Sequence, residues 1–196
     1  MKSIINKLMY RLTLAFNFKN QPLMIQGYHG IQGVYLPEVK ISNTTFIQER
    51  GNLILEDHVF IGHFNFIESS NRITIGEGCQ VTNFISILTH SSHRSIRLYG
   101  SHYQNQGELK GYIKGEVVIG KYTFIGPHCT IMPGSVVGKG CIVSAYSFVQ
   151  GEFADFSIIS GNPATVIGDT RQRDKEFLMK EPGLIPFYES WAGKQF

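Results

Sequence analysis

The chain has 196 residues, 42% of them hydrophobic and 17% charged, an ordinary globular composition that fits one domain with terminal additions. Its formal charge of +3 and isoelectric point near 8.7 suit an anionic ligand but are too weakly basic to argue for nucleic acid. Three cysteines, an odd number without CxxC spacing, leave no complete disulfide framework and no metal-ligand set, and reduced thiols favour a cytoplasmic location.

Residues 1–18 place Ile4, Ile5, Leu8, Met9, Leu12, Ala15 and Phe16 on one helical stripe, with Lys2, Lys7 and Arg11 elsewhere on the wheel. The segment is too short and too charged to span a bilayer, and no small-residue cleavage motif follows it. It is expected to be an amphipathic helix packed on the solenoid end or on a neighbouring subunit, or else loosely attached to an inner membrane face. Residues 19–40, with Pro22, Gly27, Gly30, Gly33 and Pro37, are expected to be an irregular lead-in.

Aliphatic residues then recur every six positions: Leu55, Ile61, Ile67 and Ile73, followed by a second register at Ile75, Val81 and Ile87. The shift of two implies a corner insertion near Ser69–Arg72, where Ser-Ser-Asn-Arg supplies turn chemistry. After Ile87 the period stops for about thirty residues, and interruptions of that length tend to be functional. This one holds Thr89-His90-Ser91-Ser92-His93-Arg94, then Arg97, Tyr99, His102 and Tyr103.

The period returns strictly at Ile119, Ile125, Ile131, Val137, Val143 and Val149, with a small residue four places after each of the first five (Thr123, Cys129, Ser135, Cys141, Ser147). A hexad suits one short strand and a tight corner, and three such sides close a triangular coil of about eighteen residues. Inward aliphatics of successive coils then stack into a solenoid core, and Cys79, Cys129 and Cys141 take small-residue core positions. Residues 169–181 are expected to form a short charged helix that Pro182-Gly183 stops.

These hexads and the closing phrase Gly161-Asn162-Pro163-Ala164-Thr165-Val166-Ile167 resemble the hexapeptide-repeat acyltransferases, over roughly residues 41–168. The resemblance implies an all-β solenoid, a left-handed parallel β-helix, here with an N-terminal amphipathic helix (lead-in to residue 40), a loop protruding over about 90–116, and a C-terminal tail over 169–196. It also implies acetyl-CoA as co-substrate without a metal, a homotrimer with sites between subunits, and a catalytic histidine just before a protruding loop. His93 is the preferred general base and His90 the alternative. A neutral imidazole is basic near neutrality, and a positioned base contributes roughly 10² to 10⁴ in rate. No positioned Ser or Cys nucleophile stands out, so direct attack is expected.

Family members bind the pantetheine arm along the later coils, where Gly126 and Ala145 match. Thr165 falls where many members carry a basic residue, as does Gly168, and Phe124 falls where many carry Trp. Arg171 or Arg173 is the expected substitute for the missing phosphate contacts. Arg94, Arg97, Tyr99 and Tyr103 are the expected acceptor contacts, for a glycan or sugar, because the run Ser-Ile-Arg-Leu-Tyr-Gly resembles sugar O-acetyltransferases of polysaccharide decoration. Two rival readings are a γ-type carbonic anhydrase, using His58 and His63, and a non-catalytic solenoid that binds or scaffolds.

Overall fold

The computed structural model describes residues 5–12, 21–31 and 33–194. Three parallel ladders form the three faces of a prism. The first face contains Phe60–Ile61, Gln80–Val81, Phe124–Ile125, Ile142–Val143 and Ser157–Gly161. The second contains Phe46–Gln48, Phe66–Glu68, Ser86–Leu88, Thr130–Ile131 and Phe148–Val149, and the third Leu53–Leu55, Ile73–Ile75, Val117–Ile119, Val136–Val137 and Glu152–Phe153.

The strands are short because each hexad has room for two or three extended residues before the chain must turn. One side chain of each two-residue strand, and two in Leu53–Leu55, Ile73–Ile75 and Val117–Ile119, then point inward and meet their counterparts one coil away. Ile61, Val81, Ile125, Val143 and Ile159 form the column of the first face; Ile67, Ile87, Ile131 and Val149 that of the second; Leu55, Ile75, Ile119, Val137 and Phe153 that of the third. At the corners Cys79, Thr123 and Cys141 are buried small residues, as the repeat requires. The three thiols donate to carbonyls of Gly120, Ser144 and Ala154, and burial pushes Cys79 up to about 12 and Cys141 up to about 11. These are packing groups rather than nucleophiles.

Coil length varies. Lys40 pairs with Phe60 and Phe60 with Gln80, a repeat of 20, whereas Phe124 pairs with Ile142, a repeat of 18. The excess of two sits at the second-to-third corner, where Ser69–Arg72 turns with Arg72 at φ 75°, as the shift of hexad register implied. Between Gln80 and Phe124 the repeat is 44, which accommodates the interruption.

Two departures from expectation flank the solenoid. Residues 19–40 are not irregular: β1 (Met24–His29) and β2 (Tyr35–Ser42) form an antiparallel hairpin, and β2 continues into the first face by pairing Lys40 and Ile41 with Phe60 and Ile61. The turn residues Gly30 and Gly33 that suggested irregularity make the hairpin loop instead, with Gly30 and Val34 hydrogen-bonded across it. At the other end Ala164–Asp169 does not make another side but returns antiparallel to Ser157–Gly161 and closes the first face. Of the helix expected over 1–18, residues 5–12 are helical, with Ile5, Leu8, Met9 and Leu12 exposed rather than packed; the remainder lies outside the described residues.

The tail forms two helices, α2 (Thr170–Lys180) and α3 (Ile185–Ala192), numbered after the insertion's α1 (Ser95–Tyr99). Asp169 caps α2 by accepting from the Arg171 backbone N–H, and Trp191 of α3 packs on Tyr122, Phe156 and Tyr188.

Close stacking of coils makes a testable distinction between glycines. A Cβ on Gly120 would lie 2.5 Å from the Lys139 nitrogen and 2.6 Å from the Gly138 carbonyl carbon, whereas one on Gly107 would meet nothing within 4 Å. Gly120→Ala is expected to lower stability by about 1–3 kcal/mol through overpacking against backbone, and Gly107→Ala to leave it within about 0.5 kcal/mol. Thermal midpoints of the two variants measure the difference.

Candidate active site

The insertion leaves and re-enters the prism at the second-to-third corner through a two-stranded ribbon, His90–Ser91 against Ile113–Lys114. Between those strands lie α1 and a 3-10 segment, Gly100–Asn105, so the interruption is folded rather than a bare loop. His90 is therefore fixed at the base of the ribbon, directly above the turn Ser69–Arg72 of the preceding coil.

That turn supplies a partner the sequence reading did not name. Glu68 ends the strand below, paired with Leu88, and its side chain is only 3% exposed. Its Oε2 lies 2.7 Å from His90 Nδ1, with the Ser70 hydroxyl farther off at 3.3 Å. The Thr89 backbone N–H and hydroxyl also donate to Oε2, at 3.0 and 2.8 Å, and the Ser70 N–H donates to Oε1 at 2.8 Å. Burial alone would push this carboxyl up, but the hydrogen bonds from Ser70 and Thr89 outweigh it and hold the acid down at about 2.

An ionised carboxylate on Nδ1 makes Nδ1 the protonated nitrogen of a neutral ring and leaves the Nε2 lone pair for a proton. The imidazole is stacked on Tyr112, centroids 5.5 Å apart, and is about one-third exposed. It faces an open cleft of about 800 Å3 lined by Gln48, Asn71, Tyr103, Tyr112 and Lys114 among others. His93 is differently placed. It is exposed, and its Nδ1 meets the hydroxyl of Ser91 at 2.8 Å, a neutral partner where His90 has a carboxylate.

The remaining expected site residues divide by corner. Gly126, Ala145 and Thr165 lie along one edge, between the first and second faces: a Cβ on Gly126 would lie 2.7 Å from the Ala145 nitrogen, and Thr165 pairs with Ser160 one coil farther on. Four aromatic rings climb the same edge in near-parallel stacks, Phe64 on Phe84, Phe84 on His128 and His128 on Tyr146, at 5.2, 5.0 and 4.7 Å. All four have a left-handed backbone, φ 58° to 61°, a conformation that costs a side-chain-bearing residue about 1–2 kcal/mol and that ring stacking offsets. Arg171 does not join them. It sits at the third-to-first corner, its Nε hydrogen-bonded to both Asp169 oxygens and its guanidinium 5.0 Å above the Phe156 ring, so the contact that made it attractive as a phosphate ligand is already occupied.

Among the expected acceptor contacts only Tyr103 lines the cleft. Tyr99 accepts the Lys110 backbone N–H, Arg97 donates to the His93 carbonyl, and Arg94 runs along Gly111. These three brace the insertion itself. His58 and His63 occupy different corners of the prism, His63 with its Nδ1 2.6 Å from the Ser42 hydroxyl, and among the described residues no group of three His, Cys, Asp or Glu side chains converges.

The signal for Glu68 was present as arithmetic. With a coil of 20 residues, Ser70 lies beneath His90 and Glu68 beneath Leu88, so a carboxylate two places before that turn comes under the imidazole.

The lowered Glu68 pKa has a sign. Its folded value lies below the ordinary 4.5, so its contribution, on the order of 3 kcal/mol, is complete above pH 4.5 and is lost as pH falls toward 2. Glu68→Gln is expected to be less stable than the parent at neutral pH, with the gap shrinking steadily below pH 4.5. Denaturant titrations of both proteins across that range measure it, and a gap independent of pH would contradict the assignment.

A family model described as bacterial transferase hexapeptide (six repeats) matches residues 116–151. The chain is 30% identical over 144 residues to a probable macrolide acetyltransferase of Lysinibacillus sphaericus, a match covering 68% of this chain and 76% of that protein. It is 28% identical over 120 residues to a putative lipopolysaccharide biosynthesis O-acetyl transferase, WbbJ, of Escherichia coli (strain K12), covering 60% of this chain and 61% of that protein, just under two thirds of the relative's length. In fold it is similar to AntD, an N-acyltransferase from Bacillus cereus solved with dTDP and 3-hydroxybutyryl-CoA, at a TM-score of 0.51 and 19% identity over 74% of this chain and 89% of that one. The solenoid is a left-handed parallel β-helix.

Proposed function

The chain belongs to the bacterial hexapeptide-repeat transferases, and from that premise we propose that it moves an acetyl group from acetyl-CoA to a hydroxyl of a sugar in a surface polysaccharide or its precursor. The observation that carries this reading is the Glu68–His90 pair, a buried carboxylate on one imidazole nitrogen with the other nitrogen turned to a cleft. The acetyl-transferring relatives support the donor, and the WbbJ-like relative supports a glycan acceptor.

In the proposed reaction the acceptor oxygen attacks the thioester carbonyl as His90 Nε2 takes the hydroxyl proton. A C–O bond forms, the tetrahedral intermediate expels the thiolate of coenzyme A, and the imidazolium returns the proton to that sulfur. Glu68 does not change protonation; it orients the ring and stabilises the imidazolium as it forms. Tyr103, Gln48 and Asn71 are placed to hydrogen-bond a polyhydroxylated acceptor in the cleft. His90, rather than the initially preferred His93, is the base in this scheme.

The coenzyme would lie along the Gly126–Ala145–Thr165 edge, which is a different edge of the prism from the one carrying His90. A single chain separates the two halves, so the reading requires a homotrimer in which the base of one copy meets the thioester held by the next.

Thiol release from acetyl-CoA with a panel of oligosaccharides tests the activity. His90→Ala is expected to lower kcat by about 10² to 10⁴, and His93→Ala by less than about tenfold. Full activity in His90→Ala would remove His90 from the role. For the shared site, His90→Ala and Ala145→Trp should each be inactive alone, since Ala145 is exposed on the coenzyme edge and a large ring there blocks it. Mixing them with subunit exchange should restore partial activity, and a mixture no more active than its components would place both halves of the site within one chain.

A further inference from the structure

The first 37 residues contain Lys2, Lys7, Arg11 and Lys19 and no Asp or Glu; the first acidic residue is Glu38. From Glu38 onward 14 basic residues face 15 acidic ones, so the chain's whole net charge of +3 originates in its leading segment. Charge segregated this way marks a surface for an anionic partner.

The same segment exposes apolar side chains in two separate elements. In the helix over residues 5–12, Ile5, Leu8, Met9 and Leu12 fall within about 100° of arc at 100° per residue, and each is more than half exposed. Lys7 and Arg11 lie outside that arc, and among the described residues neither makes an ion pair. In the β1–β2 hairpin Leu23, Ile25, Ile31, Val34 and Tyr35 are each half or more exposed. Among the described residues no helix is long and apolar enough to cross a membrane.

We propose that the helix over residues 5–12 and the tip of the β1–β2 hairpin are a bilayer-contact surface selective for anionic lipid, lying on the headgroup layer with the apolar arc of the helix and the hairpin tip inserted and Lys7 and Arg11 at the phosphates. An apolar arc on a helix whose only charged residues are Lys7 and Arg11 fits an interfacial helix, which gains apolar burial and headgroup attraction together. A bilayer-facing surface also accounts for the absence of acidic residues before Glu38, over the helix and the hairpin tip, since a carboxylate at either would be repelled by anionic headgroups. The proposal does not rest on the transfer reaction, because none of these residues belongs to the cleft or the coenzyme edge.

Flotation of the full chain with vesicles tests it. Binding is expected to vesicles of equal parts phosphatidylcholine and phosphatidylglycerol, weak or absent with phosphatidylcholine alone, and reversed by raised salt. The double variant Lys7→Gln/Arg11→Gln should bind about 25-fold more weakly, from roughly fivefold per cation. Ile31→Ser/Val34→Ser should also weaken binding while circular dichroism stays unchanged. No binding to the anionic vesicles, equal binding to both compositions, or undiminished binding by the charge variant would overturn the proposal. So would vesicle-independent loss of oligomeric mass in these variants by analytical ultracentrifugation, which would assign the surface to a second copy of the chain.

Discussion

Every coil of this protein buries its aliphatics against the coil beneath it, and that stacking fixes where the corners fall. A side chain such as Ile119 has Ile75 below and Val137 above, and moving one strand by a residue would turn its inward side chain out of the prism. The same constraint explains how a long insertion is tolerated. Val117–Ile119 re-enters in register on Ile73–Ile75, and the His90–Ser91 and Lys114–Ile113 pairing closes the excursion at its base. The insertion's length is therefore free to vary outward while its two ends stay fixed, which places His90 with the precision of the core rather than that of a loop.

The site rests on a stability exchange of opposite kind. A buried carboxylate is costly unless its oxygens are matched, and Glu68 is matched by Ser70, Thr89 and His90 together. Those hydrogen bonds come from two successive coils, so the carboxylate also ties the ribbon base to the turn below it. The orientation of the imidazole and local rigidity thus draw on one set of contacts, and neither can be altered without the other. His93 lacks such a neighbour, and its exposure follows from lying two residues beyond the ribbon strand, where α1 begins.

Much of the solenoid was legible because a six-residue aliphatic period has a single geometric meaning, and the two-residue register shift at Ser69–Arg72 located a corner correctly. The hairpin at 24–42 was not, since Gly and Pro punctuation reads equally as a loop or as a turn between strands, and its partnering with Phe60–Ile61 is a long-range fact. The insertion was recognisable as the site's neighbourhood, but the ordering of its two histidines depended on what lay one coil below. Arg171 was misplaced for a related reason: a basic residue in a tail has no periodicity to say which edge it reaches, and Asp169, two residues earlier, captures it. Arg94, Arg97 and Tyr99 have the chemistry of acceptor contacts yet are spent on holding the insertion's own turns.

The irregular coil lengths carry a further consequence. The 18-residue repeat above the insertion turns its second-to-third corner tightly through Pro133-Gly134, neither of which has a polar side chain. The earlier coil of 20 spends its two additional residues at Ser69–Arg72, and it is this excess that brings the Ser70 N–H onto Glu68 Oε1 and the Asn71 amide onto the Thr89 carbonyl. An 18-residue coil at the same level would leave Glu68 buried with fewer donors. Desolvation would then be less fully offset, and the carboxyl would lie higher than it does here. In the proposed reaction the departure from strict period is therefore part of the chemistry: the regular coils would build the edge for the coenzyme, and the overlong coil, together with the insertion above it, holds the imidazole proposed as the base.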